Sequence, residues 1–382
     1  MSEVIIKIAY ISGARADFGL MSYTLKSLSK HFRLQIYSTG MHLMEKFGRT
    51  GEIIKKDFPD MQEIPVVFKG STPSDMSRFV GNLIVSLTRK FERNRPDCVI
   101  TLGDRPEMLS AATVCAYMRI ATAQVHAGDR TFTVDEMARH AITKLSHIHF
   151  AATEKSASRL KKMGEENWRI HVVGAPSLDT ITHEKLPSKK EVFEFLNLKL
   201  NQKYILVLFH PVSEAIEKSA LYMKQAIDAV KSFELPIVVV YPNSDSGNTD
   251  MIKVIEKEKN NPRFRLFPNI EYQLFLSVAR ECAVWVGNSS AGMIESASLH
   301  VPVVNIGIRE LGREHAENVL SIPNNKLEIK KAVLKCIKNE KFRQKLMLVQ
   351  NPWGDGYTAE KMIRILKKVR INDKLLTKQI TY

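Results

Sequence analysis

Short apolar runs return along the whole chain, with helical-period segments between them. In the first half they are VIIKIAYIS, FRLQIYST, DCVITLGD, ATAQVHAGD, HIHFAAT and RIHVVGAPS; in the second they are YILVLFHP, PIVVVYPN, RFRLFPN, CAVWVGNSS and VPVVNIG. Runs that are apolar at nearly every position predict strands buried on both faces, hence parallel sheets covered by helices. The pattern occurs twice over, which predicts two doubly wound α/β domains. Between them ITHEKLPSKKE is polar and holds Pro187, so a linker is expected near residues 183–190. The expected division is 1–185 for a first Rossmann-like domain and 190–360 for a second. A terminal helix and tail, 361–382, is expected to pack back on the first domain. No short-period repeat is present.

Ligands of open parallel sheets bind beyond the carboxyl ends of the strands, so the residues after each run are the functional candidates. Here those positions read GARADFG, GDRPE, HPVSE, YPNSDSGN and GNSSAG. The segment QVHAGDRTFTVDEMARHAITKLSH, residues 124–147, adds a dense set of titratable groups after the fifth run.

Composition narrows the classes. With 382 residues, 44% hydrophobic and 25% charged, the chain reads as globular throughout and long enough for two cores. No apolar run reaches the roughly 20 residues of a membrane helix; FLSVARECAVWVG is broken by Arg280 and Glu281. The first residues carry no small-residue cleavage pattern, so no membrane association and a cytoplasmic location are expected. Cys98, Cys115, Cys282 and Cys336 are far apart and read as reduced, and no Cys-x-x-Cys or His-x-x-x-His spacing points to a metal site. The net charge of +15 is scattered over amphipathic helices without interleaved aromatics. That argues against nucleic acid and suits a phosphorylated small molecule.

Each candidate has a functional and a structural reading. GNSSAGMIE can hold a diphosphate on helix amides with Ser289 and Ser290, or can merely cap a helix. Arg309 and Arg313 in GIRELGRE favour phosphate through paired guanidinium bonds, against ion pairs with Glu310 or Glu314. Glu295 can accept from ribose hydroxyls or lie on a solvated face. His210 at a strand end can contact a leaving diphosphate, or be structural. Arg15 can reach phosphates while Asp17 caps the next helix, and His42 is a weaker candidate. Asp104 is a general acid or base, or the N-cap of a helix beginning near Pro106; Arg105 is beside it, and Gly103 admits close approach of a ligand. Asp129, Asp135, Glu136, Arg139 and His140 surround one helix, where Asp135 and Arg139 form an i, i+4 pair.

Taken together, RADFGL, GDRPEMLSAA, TVDEMARHAITKLSH, HPV, YPNSDSG and GNSSAGMIESA with PVVNIGIRELGRE resemble, in order and over nearly the whole chain, the hydrolysing UDP-N-acetylglucosamine 2-epimerases. The resemblance implies a GT-B fold with UDP in an interdomain cleft. It implies nucleotide binding by Arg15, Arg105, His210, Asn243, Ser289, Ser290, Glu295 and Arg309, with Arg313 nearby. Acid and base roles fall on Asp104 and Asp135, with Asp129, His126 and His210 as further catalytic candidates. It implies elimination of UDP to a 2-acetamidoglycal, then addition of water to give N-acetylmannosamine. No cofactor is implied, and the assembly is expected to be a homodimer or homotetramer in a sialic or nonulosonic acid pathway.

The chain departs from the family at one place. Where the family usually reads His-Ile-Glu-Gly-Gly-Glu, this sequence has QVHAGD, with His126 at the first glutamate and Asp129 at the second. An imidazole still moves protons near neutral pH. The change equally suits a 2,4-diacetamido-6-deoxy sugar, as does Phe132 where the family often has glycine. The rival enzyme is a non-hydrolysing 2-epimerase, disfavoured because His210 is followed by PVSE. A retaining glycosyltransferase shares the fold, and a catalytically silent nucleotide-sugar sensor is the reading of another class.

Overall fold

Period-two alternation in the first strand explains the layering of the amino-terminal part. Ile8 and Tyr10 enter one buried cluster with Leu25 and Leu28, while Ala9 and Ile11 enter another with Phe79, Leu83, Leu87 and Phe91. Both faces of the sheet are therefore covered by helices, which is why its strands read as continuous apolar runs. The structure, a computed structural model, describes residues 6–45, 48–70, 72–131, 135–242, 245 and 247–382.

The chain divides into two units: Met1–Asp129, Val134–Thr182 and Gly354–Tyr382 form one, and Arg130–Thr133 with His183–Trp353 the other. In the first, strands β1 (Lys7–Ser12), β2 (Arg33–Ser38), β3 (Gln62–Glu63), β4 (Cys98–Leu102), β5 (Ala121–Val125), β6 (Ile148–Ala151) and β7 (Ile170–Val172) form a parallel sheet of order β3-β2-β1-β4-β5-β6-β7. Its helices are α1 (Arg15–Ser29), α2 (Gly51–Asp57), α3 (Pro73–Arg93), α4 (Pro106–Met118), α5 (Asp135–Leu145), α6 (Glu154–Lys162) and α7 (Pro176–His183). The order reverses between β1 and β4, the switch point where loops diverge and leave room for a ligand.

The second unit repeats the plan with β8 (Ile205–Leu208), β9 (Ile237–Val240), β10 (Phe264–Phe267), β11 (Val284–Gly287), β12 (Val303–Ile306) and β13 (Val319–Ile322), in parallel order β10-β9-β8-β11-β12-β13. Helices α8 (Lys189–Phe195), α9 (Ser219–Val230), α10 (Asn248–Glu256), α11 (Tyr272–Glu281), α12 (Ser290–Ile294), α13 (Lys326–Lys338) and α14 (Glu340–Leu346) accompany it. The switch point here lies between β8 and β11. Pro187, in the segment before α8, accepts hydrogen bonds on its carbonyl from Ser277 (3.0 Å) and Arg280 (3.1 Å).

The chain then returns to the first unit as α15 (Thr358–Leu366) and α16 (Asp373–Leu376), placing Met362, Leu366 and Leu375 in the β1 core cluster. Asp179 on α7 caps α15 from outside its own sequence neighbourhood, accepting from the amides of Thr358 (2.8 Å) and Ala359 (2.6 Å). No helix among the described residues is long and apolar enough to cross a membrane.

Candidate active site

The loops after β1, β2 and β4 assemble a buried polar cluster in the first unit. Asp17 accepts from the amides of Gly13 (2.9 Å) and Ala14 (2.8 Å) and from the Ser12 hydroxyl, so it serves the start of α1 as a capping group. Burial pushes its carboxyl up to about 7 against the pull of Arg105 and of these donors. His42 links Ser12 (2.8 Å) to Thr50 (2.8 Å), and burial together with Arg105 lowers its pKa to about 4. It is a neutral, structural imidazole. Arg15 is the first residue of α1 and is half-buried.

Arg105 is held by Glu107, whose fully buried carboxylate accepts from Nε (3.2 Å) and Nη2 (3.2 Å). A Cβ at Gly13 would collide with that carboxylate, so the glycine makes the room that Glu107 occupies. Arg105, not Asp104, is the residue at the N-cap position of α4, and it caps without a side-chain bond. Asp104 is instead paired with Arg139 of α5, whose guanidinium also donates to the carbonyl of His126 (3.1 Å). The guanidinium of Arg139 thus reaches across to the loops after β4 and β5. Gln124 on β5 fixes α5 in turn, donating to the carbonyl of Arg139 (3.2 Å) and accepting from Thr143 (2.7 Å). Asp135 opens α5 and is half-buried, and His140 faces Glu136 at 3.0 Å.

His126 has φ +59°, a left-handed conformation that non-glycine residues adopt at a cost and that clusters at functional sites. Its Nδ1 lies 2.7 Å from Asp129, which is fully buried and accepts on its other oxygen from Ser156 (2.8 Å). An ionised carboxylate can only accept, so Nδ1 donates to it and Nε2 is the ring nitrogen left to exchange a proton with a substrate. Asp129 is a positioning group behind the ring. Arg159 donates to the carbonyl of Gly128 at 2.6 Å and to Ser156 at 3.3 Å, closing the turn.

In the second unit the loops after β8 and β11 are stitched together. The amide of His210 donates to Asn288 Oδ1 (2.6 Å), and Asn288 Nδ2 donates back to the carbonyl of His210 (2.9 Å). The close approach needs Gly287, at φ +153°, because a Cβ there would overlap the Leu208 carbonyl. Burial and the Arg309 cation hold the His210 imidazole well below its usual pKa, so it is neutral at pH 7.

Ser289 stands at the N-cap of α12 without a side-chain cap bond and is buried; Ser290 follows, half-buried. That helix has only five residues, a shorter dipole than GNSSAGMIE alone suggests. Arg309 donates to the carbonyl of Asn288 (3.2 Å) and to Glu310 (2.8 Å). Arg313 is buried, bonded to Glu310 (2.6 Å) and stacked 5.6 Å from the Trp353 ring, so it braces the loop through Glu310. Glu295 is fully buried and accepts from Tyr272 at 3.2 Å.

The expected residues thus gather in two clusters: Arg15, Asp104, Arg105, His126, Asp129 and Asp135 in the first unit, and His210, Ser289, Ser290, Glu295, Arg309 and Arg313 in the second. Asn243 and Phe132 lie outside the described residues. Glu107, Ser156 and Gln124 were not singled out from the sequence. Only Glu107 left a signal there, two residues after Arg105 in GDRPE. Among the described residues no group of three or more His, Cys, Asp or Glu is placed to hold a metal ion.

Residues 26–367 match the family described as UDP-N-acetylglucosamine 2-epimerase. Over 382 residues the chain is 36% identical to the UDP-N,N'-diacetylbacillosamine 2-epimerase (hydrolyzing) of Legionella pneumophila, covering 99% of this chain and 100% of that protein. It is 30% identical to the GDP/UDP-N,N'-diacetylbacillosamine 2-epimerase (hydrolyzing) of Campylobacter jejuni, with 96% of each chain covered. Among solved structures, UDP-GlcNAc 2-epimerase from Neisseria meningitidis bound to UDP-GlcNAc superposes with a TM-score of 0.79 at 20% identity, covering 95% of this chain and 100% of that one. The chain has the GT-B fold and belongs to the UDP-N-acetylglucosamine 2-epimerase family.

Proposed function

We propose that the protein is a hydrolysing 2-epimerase of a UDP-linked 2-acetamido sugar. One observation carries the chemistry: a buried imidazole oriented by Asp129, in the same cluster as the Asp104–Arg139 pair. Removing the weakly acidic proton at C2 needs a placed base, and expelling UDP from C1 needs cations and donors where charge develops. The first unit supplies the proton-transfer groups Asp104, His126 and Asp135, with Arg15 and Arg105 as cations. The second supplies His210, Asn243, Ser289, Ser290, Glu295 and Arg309 to the nucleotide, with Arg313 bracing Arg309.

The base takes the C2 proton as the C1–O bond to UDP breaks, leaving a 2-acetamidoglycal. Water then adds its oxygen to C1 while C2 is protonated from the opposite face. The sum is one UDP-sugar and one water giving the free 2-epimeric sugar and UDP, with nothing oxidised or reduced. Neutral His210 meets the diphosphate as an N–H donor, and the bound anion's charge favours its protonation.

The steps involve C1 and C2 and are indifferent to the substituents at C4 and C6. Two relatives named for N,N'-diacetylbacillosamine therefore make the 2,4-diacetamido-2,4,6-trideoxy sugar the first substrate to test, with UDP-N-acetylglucosamine second. A homo-oligomer in the cytoplasm, serving nonulosonic acid synthesis, completes the proposal.

The test is to incubate the protein with each UDP-sugar in heavy water and follow the products by NMR. Free sugar deuterated at C2, with UDP, supports the proposal. A nucleotide-linked epimer would establish the non-hydrolysing reaction. Binding of UDP without turnover of either sugar would establish the sensor.

A further inference from the structure

The carboxyl-terminal tail is locked into the first unit by a buried arginine and a half-buried lysine that bond in opposite directions. Arg169, fully buried before β7, donates to the carbonyls of Leu375 (2.8 Å), Lys374 (3.1 Å) and Thr377 (3.0 Å) at the end of α16. Lys378, from the tail, donates to the carbonyls of Thr143 (2.7 Å), Lys144 (3.0 Å) and Ser146 (2.8 Å). Those three carbonyls form the carboxyl-terminal end of α5, where a cation both satisfies orphan acceptors and complements the helix dipole. The same ammonium lies 2.7 Å from Glu165, which is fully buried, and its own side chain is only 14% exposed.

The helix it caps is the one that carries Asp135 and Arg139. From Lys378 the bonds run without a break: to Thr143, whose hydroxyl donates to Gln124; from Gln124 to the Arg139 carbonyl; from Arg139 to Asp104 and the His126 carbonyl. Loss of the cap would leave the end of α5 short of a buried partner, and the last turn would fray or shift. A displacement of about 1 Å at groups that move protons is enough to cost roughly 100-fold in rate.

We propose that Lys378 is a positioning residue for the proton-transfer cluster, setting the register of α5 from a segment more than two hundred residues away in sequence. The proposal rests on the assignment of chemistry to Asp104, His126 and Asp135. Among the described residues the bond chain from Lys378 ends on Asp104 and the His126 carbonyl, at the groups assigned to proton transfer, so the prediction separates rate from UDP binding.

The experiment compares the full chain with K378A, K378Q, K378R and a chain ending at Thr377. It measures kcat and KM by UDP release, UDP affinity by calorimetry, and Tm. K378A and the shortened chain are expected to lose about ten-fold or more in kcat, with KM and UDP affinity within about two-fold of wild type. K378R, which keeps the cation, is expected to recover most of the rate. If K378A or the shortened chain does not fold, K378Q, which keeps the stem and removes the charge, carries the same expectation. Wild-type kcat in a folded variant lacking the charge would overturn the proposal, as would an equal fall in kcat and UDP affinity. A wild-type protein that turns over no UDP-sugar would instead overturn the functional reading beneath it.

Discussion

Replacing Asp129 by asparagine tests the centre of the mechanism, because it removes a charge and almost no volume. The bond from His126 Nδ1 to Asp129 is 2.7 Å long, and the carboxylate is fully buried. A hydrogen bond to a charged group in such a setting is worth about 1.5–3 kcal/mol net. The bond strengthens as the imidazole takes a proton, so this stabilisation is felt mainly in the transition state. At about 1.4 kcal/mol per decade, kcat should fall roughly 10- to 100-fold. The introduced amide can turn its carbonyl to Nδ1 and its NH2 group to Ser156, which accepts as readily as it donates; the lower value describes that arrangement. If the NH2 group faces Nδ1 instead, the ring proton moves to Nε2 and the base is lost, giving the higher value. KM and UDP affinity should be unchanged, since neither depends on the dyad. The assay is initial UDP release with calorimetry of UDP binding on the same preparations. A folded D129N chain within about two-fold of wild-type kcat, beside an inactive H126A, would refute the orienting role of Asp129; wild-type rates in both would remove His126 from the reaction.

The other expectations are quickly put to measurement. S156A leaves the carboxylate on His126 and should cost no more than about three-fold in kcat in the same assay. E310Q weakens the anchor shared by Arg309 and Arg313 and should weaken UDP binding by about ten-fold by calorimetry, with kcat at saturation much less affected. G287A forces a Cβ into the Leu208 carbonyl and should destabilise the chain by at least about 3 kcal/mol in denaturant unfolding. His42, His147 and His149 are each lowered to about 4 by burial, so the folded state holds fewer protons than the unfolded state between pH 4 and 6.5. Stability contributed by each is complete above pH 6.5 and lost as the pH falls toward 4; Asp17, raised to about 7, opposes this with one proton over nearly the same window. H149Q should therefore flatten the rise of unfolding free energy with pH by about 1.4 kcal/mol per unit in that range, and an unchanged slope would show that His149 titrates normally.

Much of the fold was legible because burial on both sheet faces leaves continuous apolar runs. The strands that went unread are β3 and β13. The first has two residues and is held mainly by backbone pairing to β2; the second is an edge strand of VLSI with its third residue exposed. Neither has an apolar run to announce it. At the site, strand-end logic located Asp104, Arg105, His126 and His210, because such positions need no knowledge of distant partners. It could not say that Arg139 turns away from the simple helical pairing to bond Asp104, or that Ser156 stands behind Asp129, since those contacts join residues 35 and 27 apart in sequence. Lys378 was invisible for the same reason at a larger scale.

A consistent electrostatic arrangement follows from these long-range pairs. Arg105 is held by Glu107, Arg139 by Asp104, and Arg309 by Glu310, so these three cations of the two clusters already have a carboxylate neighbour. Such pairing fixes the direction of a guanidinium before any ligand arrives, which lowers the ordering cost of binding. Under the proposed function, a diphosphate would bring the charge to share a paired cation with its carboxylate, whereas a neutral sugar alone would not. His210 fits the same scheme from the other side. Half-buried beside Arg309, its imidazole is held well below its usual pKa by desolvation and that cation, and the charge of a bound diphosphate would raise its proton affinity. Under the proposed function, the leaving group would thereby help to create its own proton donor, which would tie the acid's readiness to occupancy by the nucleotide.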